Sequence, residues 1–559
     1  MFVEDNAMLK ELGFFAVISE HTSVKESSRL SLPSDRDLEL MTPGFTVWIK
    51  CFADTQVFRD EADEVCLVFY GHVCEAASLS RFVEIYNRQG MSFVESLNGS
   101  FAFLLVDKLR DKVVLATDRV GSRKVYMYKE NSITFVSTVF KHLFTRDLPL
   151  DPIGLAWYLS NGVVHNNRTL FESVSVLDRA TCYTFSGGAP ITTRRYWQYK
   201  FTGEYAHKDL IWVKKELETL LVEAIRRRVE DDYPIMLSLS AGYDASGVLG
   251  ILCEKLNINN LLSFSYGLQK DNKQSDAYVA RQLAEMYGSI HRFVLSYDGD
   301  LLGAIERNAL WGNGTAYFCD ESLAWRMLYD EYADQNYTLF VADECFGTRM
   351  GDVYLFDRVD VLVASKIRDF SCLRWLKRFL PTSMYLDLLR GHREDISALF
   401  EGVSPTADLH DIKDFLYLDQ RICHILMPWR EYFGARTFRV QNPFLDNDIL
   451  DFMRKLPSQL RRGKRLYEET ITSMFPEMFA VERATVGGYV PDWTQEMLVK
   501  REEIIARYLP RESSSRLDAF IPPDSVIQLL GMEEEIPDKV SLAVERMMSL
   551  SNRVVNKVK

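Results

Sequence analysis

The run from Ile235 to Leu252 falls into three pieces with different chemistry. Ile235-Met236-Leu237-Ser238-Leu239 is an apolar stretch of strand length, too brief for a helix. Ser240-Ala241-Gly242-Tyr243-Asp244-Ala245-Ser246 is small and polar, and Gly247-Val248-Leu249-Gly250-Ile251-Leu252 can open a helix. A strand, a tight loop and a helix N-terminus build an anion site, because backbone N–H groups point outward and the helix dipole favours negative charge. No Gly-Lys-Ser/Thr follows, so this is not a Walker loop. A second acidic feature lies about a hundred residues on. Tyr337 to Val341 reads as a strand running into Ala342-Asp343-Glu344. Carboxylates at a strand's C-terminal end suit Mg²⁺, which takes carboxylate and phosphate oxygens. With Asp244 on a neighbouring strand end, Asp244 and Asp343 are the expected metal ligands.

The elements that must position these residues follow from periodicity. Asn260 to Gly267 is a second buried strand ending in Ser265-Tyr266-Gly267, where an α/β sheet places its ligand crevice. Asp276 to Gly288 reads as a helix and Ile290 to Val294 as the next strand, so the alternation implies a parallel sheet. Leu210, Val213, Leu217, Leu220, Leu221, Ala224 and Ile225 sit at helical spacing in an amphipathic helix that feeds the first strand. Residues 355 to 475 read mostly helical. Upstream, short β-like runs recur between turn residues: Phe14 to Ile18, Val65 to Tyr70, Phe101 to Val106, Val113 to Ala116, Val125 to Tyr128 and Ile133 to Val136. That spacing suggests stacked sheets with a few helices, for example Ala77 to Arg88. Ser186-Gly187-Gly188 looks like a second small-residue loop, but Ala-Pro follows and β-like runs flank it, so it reads as a hairpin turn.

With 559 residues there is ample core for two domains, and 66 basic against 79 acidic residues leave a net charge of −13. An acidic balance does not suit a nucleic-acid surface. The nine cysteines form no Cys-x-x-Cys pair, which argues against zinc ribbons and a disulfide framework and fits a reducing cytoplasm. The start of the sequence shows no signal-peptide pattern, and no 18-residue apolar stretch suggests a membrane span.

Ser240, Gly242, Asp244 and Ser246 match the Ser-Gly-Gly-x-Asp-Ser loop of the ATP pyrophosphatase superfamily, with Ala241 and Ala245 as departures. The chain as a whole resembles the asparagine synthetase family (class B type). Ala342-Asp343-Glu344-Cys345-Phe346-Gly347 resembles that family's Ser-Gly-Glu-Gly-Ala-Asp-Glu-x-Phe-Gly-Gly loop, although Phe340 stands where its earlier acidic residue is usual. Pro443-Phe444-Leu445-Asp446 matches its Pro-Phe-Leu-Asp, with Arg439 and Gln441 in place of the upstream Glu and Arg. Lys464 falls in register with its catalytic lysine. Arg483, Gly487 and Pro491 echo the following Arg-x-Lys-x-Gly-Phe-x-x-Pro, with Thr485 for the lysine. Upstream, Leu97 to Phe103, Asp107, Asp118-Arg119-Val120-Gly121, Tyr126 and Arg195-Tyr196-Trp197 resemble the family's glutaminase half. Leu12-Gly13-Phe14-Phe15 occupies the place of its N-terminal Cys-Gly-Ile-Phe, and Tyr70-Gly71-His72 replaces its Asn-Gly-Glu.

The resemblance implies a degenerate glutaminase-like domain over residues 1–205, an N-terminal-nucleophile-type αββα sandwich. It is followed over 206–559 by a PP-loop, adenine nucleotide alpha hydrolase-like domain with a parallel sheet and helical cap. It implies ATP and Mg²⁺ as cofactors, with Ser238, Ser240, Gly242, Tyr243, Asp244, Ser246, Ser265 and Gly267 around ATP and pyrophosphate, and Lys464 as catalytic residue. The expected activity is adenylation of a small-molecule or peptide carboxylate, followed by amine attack. Without a nucleophilic cysteine the substrate's own amine is favoured, because ring closure gains from proximity. Lasso-peptide cyclases and β-lactam synthetases are such relatives, and in the first case a precursor peptide and its protease are the partners. Ammonia-dependent amidation and an inactive scaffold are the alternatives. No nucleic-acid or membrane partner is expected. Residues 510–559 carry no readable signal.

Overall fold

A computed structural model describes residues 10–20, 37–74, 81–143, 148–187, 189–230, 232–313, 321–347, 361–362, 365, 367–378, 380–400 and 408–508. The expectations for the chain start, the first residues of the Ala77–Arg88 helix, residues 348–360 and the segment from 509 on lie outside these. The described residues form two compact units. One holds the residues up to Gly154 with Val164–Gln198, and the other holds Leu155–Val163 with the residues from Tyr199 on.

The first unit is built on two six-stranded antiparallel sheets. Its strands are β1 (Phe14–Glu20), β2 (Leu38–Met41), β3 (Phe45–Cys51), β4 (Thr55–Arg59), β5 (Val65–Val73), β6 (Gly99–Asp107), β7 (Lys112–Thr117), β8 (Tyr126–Glu130), β9 (Ile133–Ser137), β10 (Val174–Val176), β11 (Thr181–Ser186) and β12 (Thr192–Arg195). The sheets run β10-β8-β9-β1-β3-β2 and β12-β11-β7-β6-β5-β4. All six runs read as β-like are strands. Sequence reasoning missed β2 to β4 and β10; β2 and β10 are short and β4 is largely exposed, so their periodicity is weak, whereas β3 does alternate and was overlooked. β11 and β12 form the antiparallel pair that flanks the Ser186 turn. Helix α1 (Phe82–Gln89) lays Phe82, Val83 and Tyr86 on Leu67, Phe69 and Phe103 of the second sheet. The alternate residues of β5, Cys66, Val68 and Tyr70, are buried too, as expected of a strand covered on both faces.

The second unit is organised by a five-stranded, wholly parallel sheet. Its strands are β13 (Ile235–Ser238), β14 (Leu262–Gly267), β15 (Ile290–Leu295), β16 (Thr338–Phe340) and β17 (Arg439–Gln441), in the order β15-β14-β13-β16-β17. Being covered on both faces, β13 and β16 read as short apolar runs instead of alternating ones. β14 and β15 build to one side of β13, and β16 and β17 to the other. The order therefore reverses at β13, and the C-terminal ends of β13 and β16 mark where such a sheet places its ligand crevice. The sequence had given no hint of β17, a three-residue strand inside a helix-rich stretch. Helix α3 (Leu210–Arg226) leads into β13, α4 (Tyr243–Gly250) connects β13 to β14 and α5 (Asp276–Met286) connects β14 to β15; α2 (Pro152–Asn161) comes earlier, its first residues in one unit and the rest in the other. Among the described residues no helix is long and apolar enough to cross a membrane.

Candidate functional site

The loop after β13 is held by its own side chains. Gly242 is the N-cap of α4, its N–H reaches Ser240 Oγ at 3.3 Å, and Ser246 Oγ reaches back to Ser240 O at 3.5 Å. Both polar groups of Ala241 are fixed from outside the loop. Its N–H donates to Asp276 Oδ1 at 2.9 Å, and its carbonyl accepts from Arg483 Nη1 at 2.7 Å. Burial pushes the Asp276 carboxyl up to about 6, against the lowering effect of the Ala241 N–H. The Arg483 guanidinium sits 4.8 Å from the Tyr243 ring and 4.5 Å from that of Phe479, and the two rings stack on each other at 4.9 Å. Ser238 ends β13 half-buried. Ser240, Gly242, Tyr243, Asp244 and Ser246 thus stand together at the crevice, around a helix N-terminus that favours an anion.

Lys464 arrives from the far end of the sequence. Helix α4 lies against the helix Arg465–Met474 so closely that a Cβ on Gly247 would stand 2.7 Å from Tyr467 Oη and 2.8 Å from Ile471 Cγ1. Just before that second helix, Gly463 and Lys464 both adopt left-handed backbone, φ +61° and +63°. A non-glycine residue held there costs about 1–3 kcal/mol and persists only where its surroundings fix it. The turn brings the buried Lys464 ammonium to Asp244, at 2.5 and 2.6 Å from its two oxygens, and to 3.6 Å from Glu344 Oε1. Burial alone would lower the ammonium; Glu344 and Asp244 instead hold it above its ordinary value. Burial raises Glu344, with Lys464 opposing. Phe346 stacks on Tyr467 at 4.2 Å, closing one side of the cluster.

Asp343 does not join it. Arg430 donates to both its oxygens, Nε at 2.8 Å and Nη2 at 2.9 Å, and Asn442 Nδ2 reaches its carbonyl at 3.1 Å. The carboxylate that shares a cation with Asp244 is its neighbour, Glu344, so the expected pairing of Asp244 with Asp343 is not the arrangement present. The reason is local: a buried carboxylate takes the best counter-charge in reach, and Arg430 supplies a bidentate one.

Two further candidates have partners on neighbouring segments. Ser265 Oγ meets His291 Nε2 at 2.9 Å and Ala277 O at 3.4 Å, while Ser263 Oγ meets His291 Nδ1 at 3.0 Å. Burial, with Arg281, pushes His291 down to about 4, so it works as a neutral link between β14 and β15. Gly267 lies under the chain at Gly488, whose carbonyl accepts from Leu268 N at 2.9 Å. That contact sets the segment carrying Arg483, Thr485 and Gly487 on the crevice rim, where Val486 also bridges Ser275. Glu344, Arg430, Asp276 and Arg483 were not among the expected site residues. Glu344 stood beside Asp343 in the motif, and Arg483 was noted as an echo. Arg430 carried no motif at all.

In the first unit Leu12 sits buried just before β1 and bridges Ala53. Thr138 Oγ1 accepts from Phe14 N at 3.0 Å, and a Cβ on Gly13 (φ +88°) would strike it at 2.4 Å. Tyr70 is buried with the Arg123 guanidinium 4.9 Å from its ring. Asp118 accepts from Phe101 N at 3.0 Å, Val120 N at 2.9 Å and Ser122 Oγ at 2.5 Å, so its oxygens hold a turn together. Tyr196 Oη donates to Thr117 O at 2.7 Å, and Trp197 lies between Arg119 and Arg179.

Comparison with known proteins agrees with both halves of this picture. A family model described as a glutamine amidotransferase domain matches residues 71–197, and one described as asparagine synthase matches residues 216–532, more than half of the chain. A putative glutamine-hydrolyzing asparagine synthetase 2 from Methanocaldococcus jannaschii is 25% identical over 196 residues, 34% of this chain and 37% of that one. Glutamine-hydrolyzing asparagine synthetases 1 and 3 of Bacillus subtilis are 22% and 25% identical, over 86% and 76% of this chain and 78% and 74% of theirs. The chain spans little more than a third of the length of the archaeal relative, 37%.

Proposed function

We propose that this chain, which belongs to the asparagine synthase family, is an ATP-dependent amide-forming synthetase whose reaction runs in the crevice of the second unit. The observation that carries the reading is the meeting of Lys464, Asp244 and Glu344 beside the Ser240–Ser246 loop. In the proposed reaction a substrate carboxylate oxygen attacks the α-phosphorus of ATP and pyrophosphate leaves. An amine then attacks the acyl-adenylate, and AMP leaves as the amide forms. The α4 N-terminus and the Ser240 hydroxyl beside it suit the phosphates. An ammonium has three donors; the two Asp244 oxygens take at most two, and Glu344 at 3.6 Å contributes charge without a hydrogen bond. The third is available to a phosphate oxygen or to the oxyanion of the tetrahedral intermediate, the largest single contribution in acyl transfer. The donor set around Asp343 does not suit a metal ion, so no step is assigned to one.

The substrate's own amine is the proposed nucleophile, as in lasso-peptide or β-lactam closure. Support comes from the sequence of the first unit, where the resemblance puts Leu12 in the place of the nucleophilic cysteine. The experiment is hydroxylamine trapping: full-length protein, ATP and a panel of peptide and small carboxylic acids, scored for hydroxamate and AMP. A hydroxamate with one acid supports the reading. Glutamate release from added glutamine, coupled to amidation, would replace it with glutamine-dependent synthesis. The absence of hydroxamate and AMP with every acid would favour an inactive scaffold.

A further inference from the structure

We propose that Arg430 stands in for a metal ion at Asp343, so that this crevice carries one of its positive charges as a fixed side chain. The starting point is the disagreement between motif and geometry. Asp343 follows β16, the neighbour of β13 where the strand order reverses, the place a metal-binding carboxylate would occupy. Its two oxygens accept instead from Arg430 Nε at 2.8 Å and Nη2 at 2.9 Å, and Asn442 Nδ2 lies 3.4 Å from Oδ2. Both partners are largely buried, 11% and 6% of the side-chain surface remaining exposed. A Mg²⁺ ion needs oxygen ligands at about 2.0–2.1 Å in octahedral array. On either oxygen it would sit against the guanidinium, charge facing like charge.

Arg430 is not a cation that vacates easily. A guanidinium stays protonated at any ordinary pH, and its planar fork matches a carboxylate with two parallel hydrogen bonds. Burial alone would lower Arg430, and Asp343 more than restores it. Its backbone begins a π-helical segment, Arg430–Gly434, soon after another, Tyr417–Leu426. Such widened turns are frequent at functional sites. Its guanidinium also lies 3.9 Å from the Trp429 ring. The contrast with Asp244 is instructive: there the counter-charge is one ammonium on a flexible stem, shared with Glu344.

The test is direct metal binding to the full chain without ATP or acid, read from the electron paramagnetic resonance signal of free Mn²⁺. The wild type should show no saturable site that depends on Asp343. Arg430→Gln should gain one saturable site, and adding Asp343→Asn to that variant should remove it. Saturable binding in the wild type that Asp343→Asn abolishes would overturn the proposal, as would an Arg430→Gln protein that folds and gains no site. Should Arg430→Gln fail to fold, the near-isosteric Asp343→Asn decides alone. Under the proposal the ratio of ATP affinities with Mg²⁺ and with chelator is unchanged by it. A fall of about tenfold or more, the size expected for disturbing a metal shell, would overturn it. The proposal shares the crevice with the reading given under Proposed function, but the Mn²⁺ measurement needs no turnover, so the two can fail separately.

Discussion

Asp343 and Glu344 are consecutive residues at the end of one strand, and they serve opposite purposes. Asp343 is closed into a two-pronged pair with Arg430, every oxygen accounted for. Glu344 shares a single ammonium with Asp244 beside a small-residue loop, and its carboxyl is raised by burial. The first arrangement is a fixed strut. The second is a set of charges held in place by a strained turn, with a donor still available for a ligand. The difference teaches that motif register locates a crevice but not the partner each carboxylate will take. That depends on which cation the rest of the fold delivers.

The comparison can be broken most readily through stability. Removing one partner of a buried ion pair leaves an uncompensated charge and costs about 3–5 kcal/mol. Arg430→Leu should therefore lower the unfolding free energy by about that much. Lys464→Met should cost less, on the order of 1–2 kcal/mol, because Glu344, already raised, can take up a proton. Chemical denaturation of both variants checks this, and equal losses would erase the distinction between strut and poised charge.

A subtler variant separates the two clusters. Gly247→Ala drives a methyl into Tyr467 and Ile471 and pushes the Lys464 helix away from α4. Overpacking of this kind costs about 1–3 kcal/mol. It should weaken ATP binding at the loop while Asn442 and Arg430 keep their grip on Asp343. Unchanged ATP affinity, measured by calorimetry, would mean that the close approach of those helices does not set the position of Lys464.

The smallest effect concerns the loop's outer support. Asp276, pushed up to about 6 from the usual 3.8, binds its proton more tightly in the folded chain than in the unfolded one. The sign follows: the contribution of Asp276 to stability is greatest at low pH, falls as pH rises from about 4 through about 6, and is level above. Asp276→Asn should flatten that fall, worth on the order of 1–2 kcal/mol at 1.36 kcal/mol per pH unit with some relaxation. Denaturation midpoints at pH 4, 5, 6 and 7 for both proteins test it, and parallel curves would contradict it.

Much of this was legible in the sequence, for a physical reason. The strand–loop–helix at Ile235 to Gly250 is local, so apolar run, small residues and helix opening read off directly. The parallel sheet followed from strand–helix alternation, and Lys464 from register. What escaped depended on distance or length. Arg430 meets Asp343 across 87 residues of sequence with no spacing rule to announce it. β17 is three residues long, below the reach of any periodicity. Ser265 sat in the expected strand end, but its hydroxyl was taken by His291 on the next strand, a pairing that only register can reveal.

The most direct measurement of the central claim is ATP–pyrophosphate exchange with the acid that gives a hydroxamate, in wild type, Lys464→Met and Asp244→Ala. The account predicts exchange in the wild type and a loss of about 10²-fold or more in both Lys464→Met and Asp244→Ala, the size of one lost donor to the charge developing on the phosphate, with all three proteins folded. Exchange at wild-type rate in folded Lys464→Met and Asp244→Ala would contradict it.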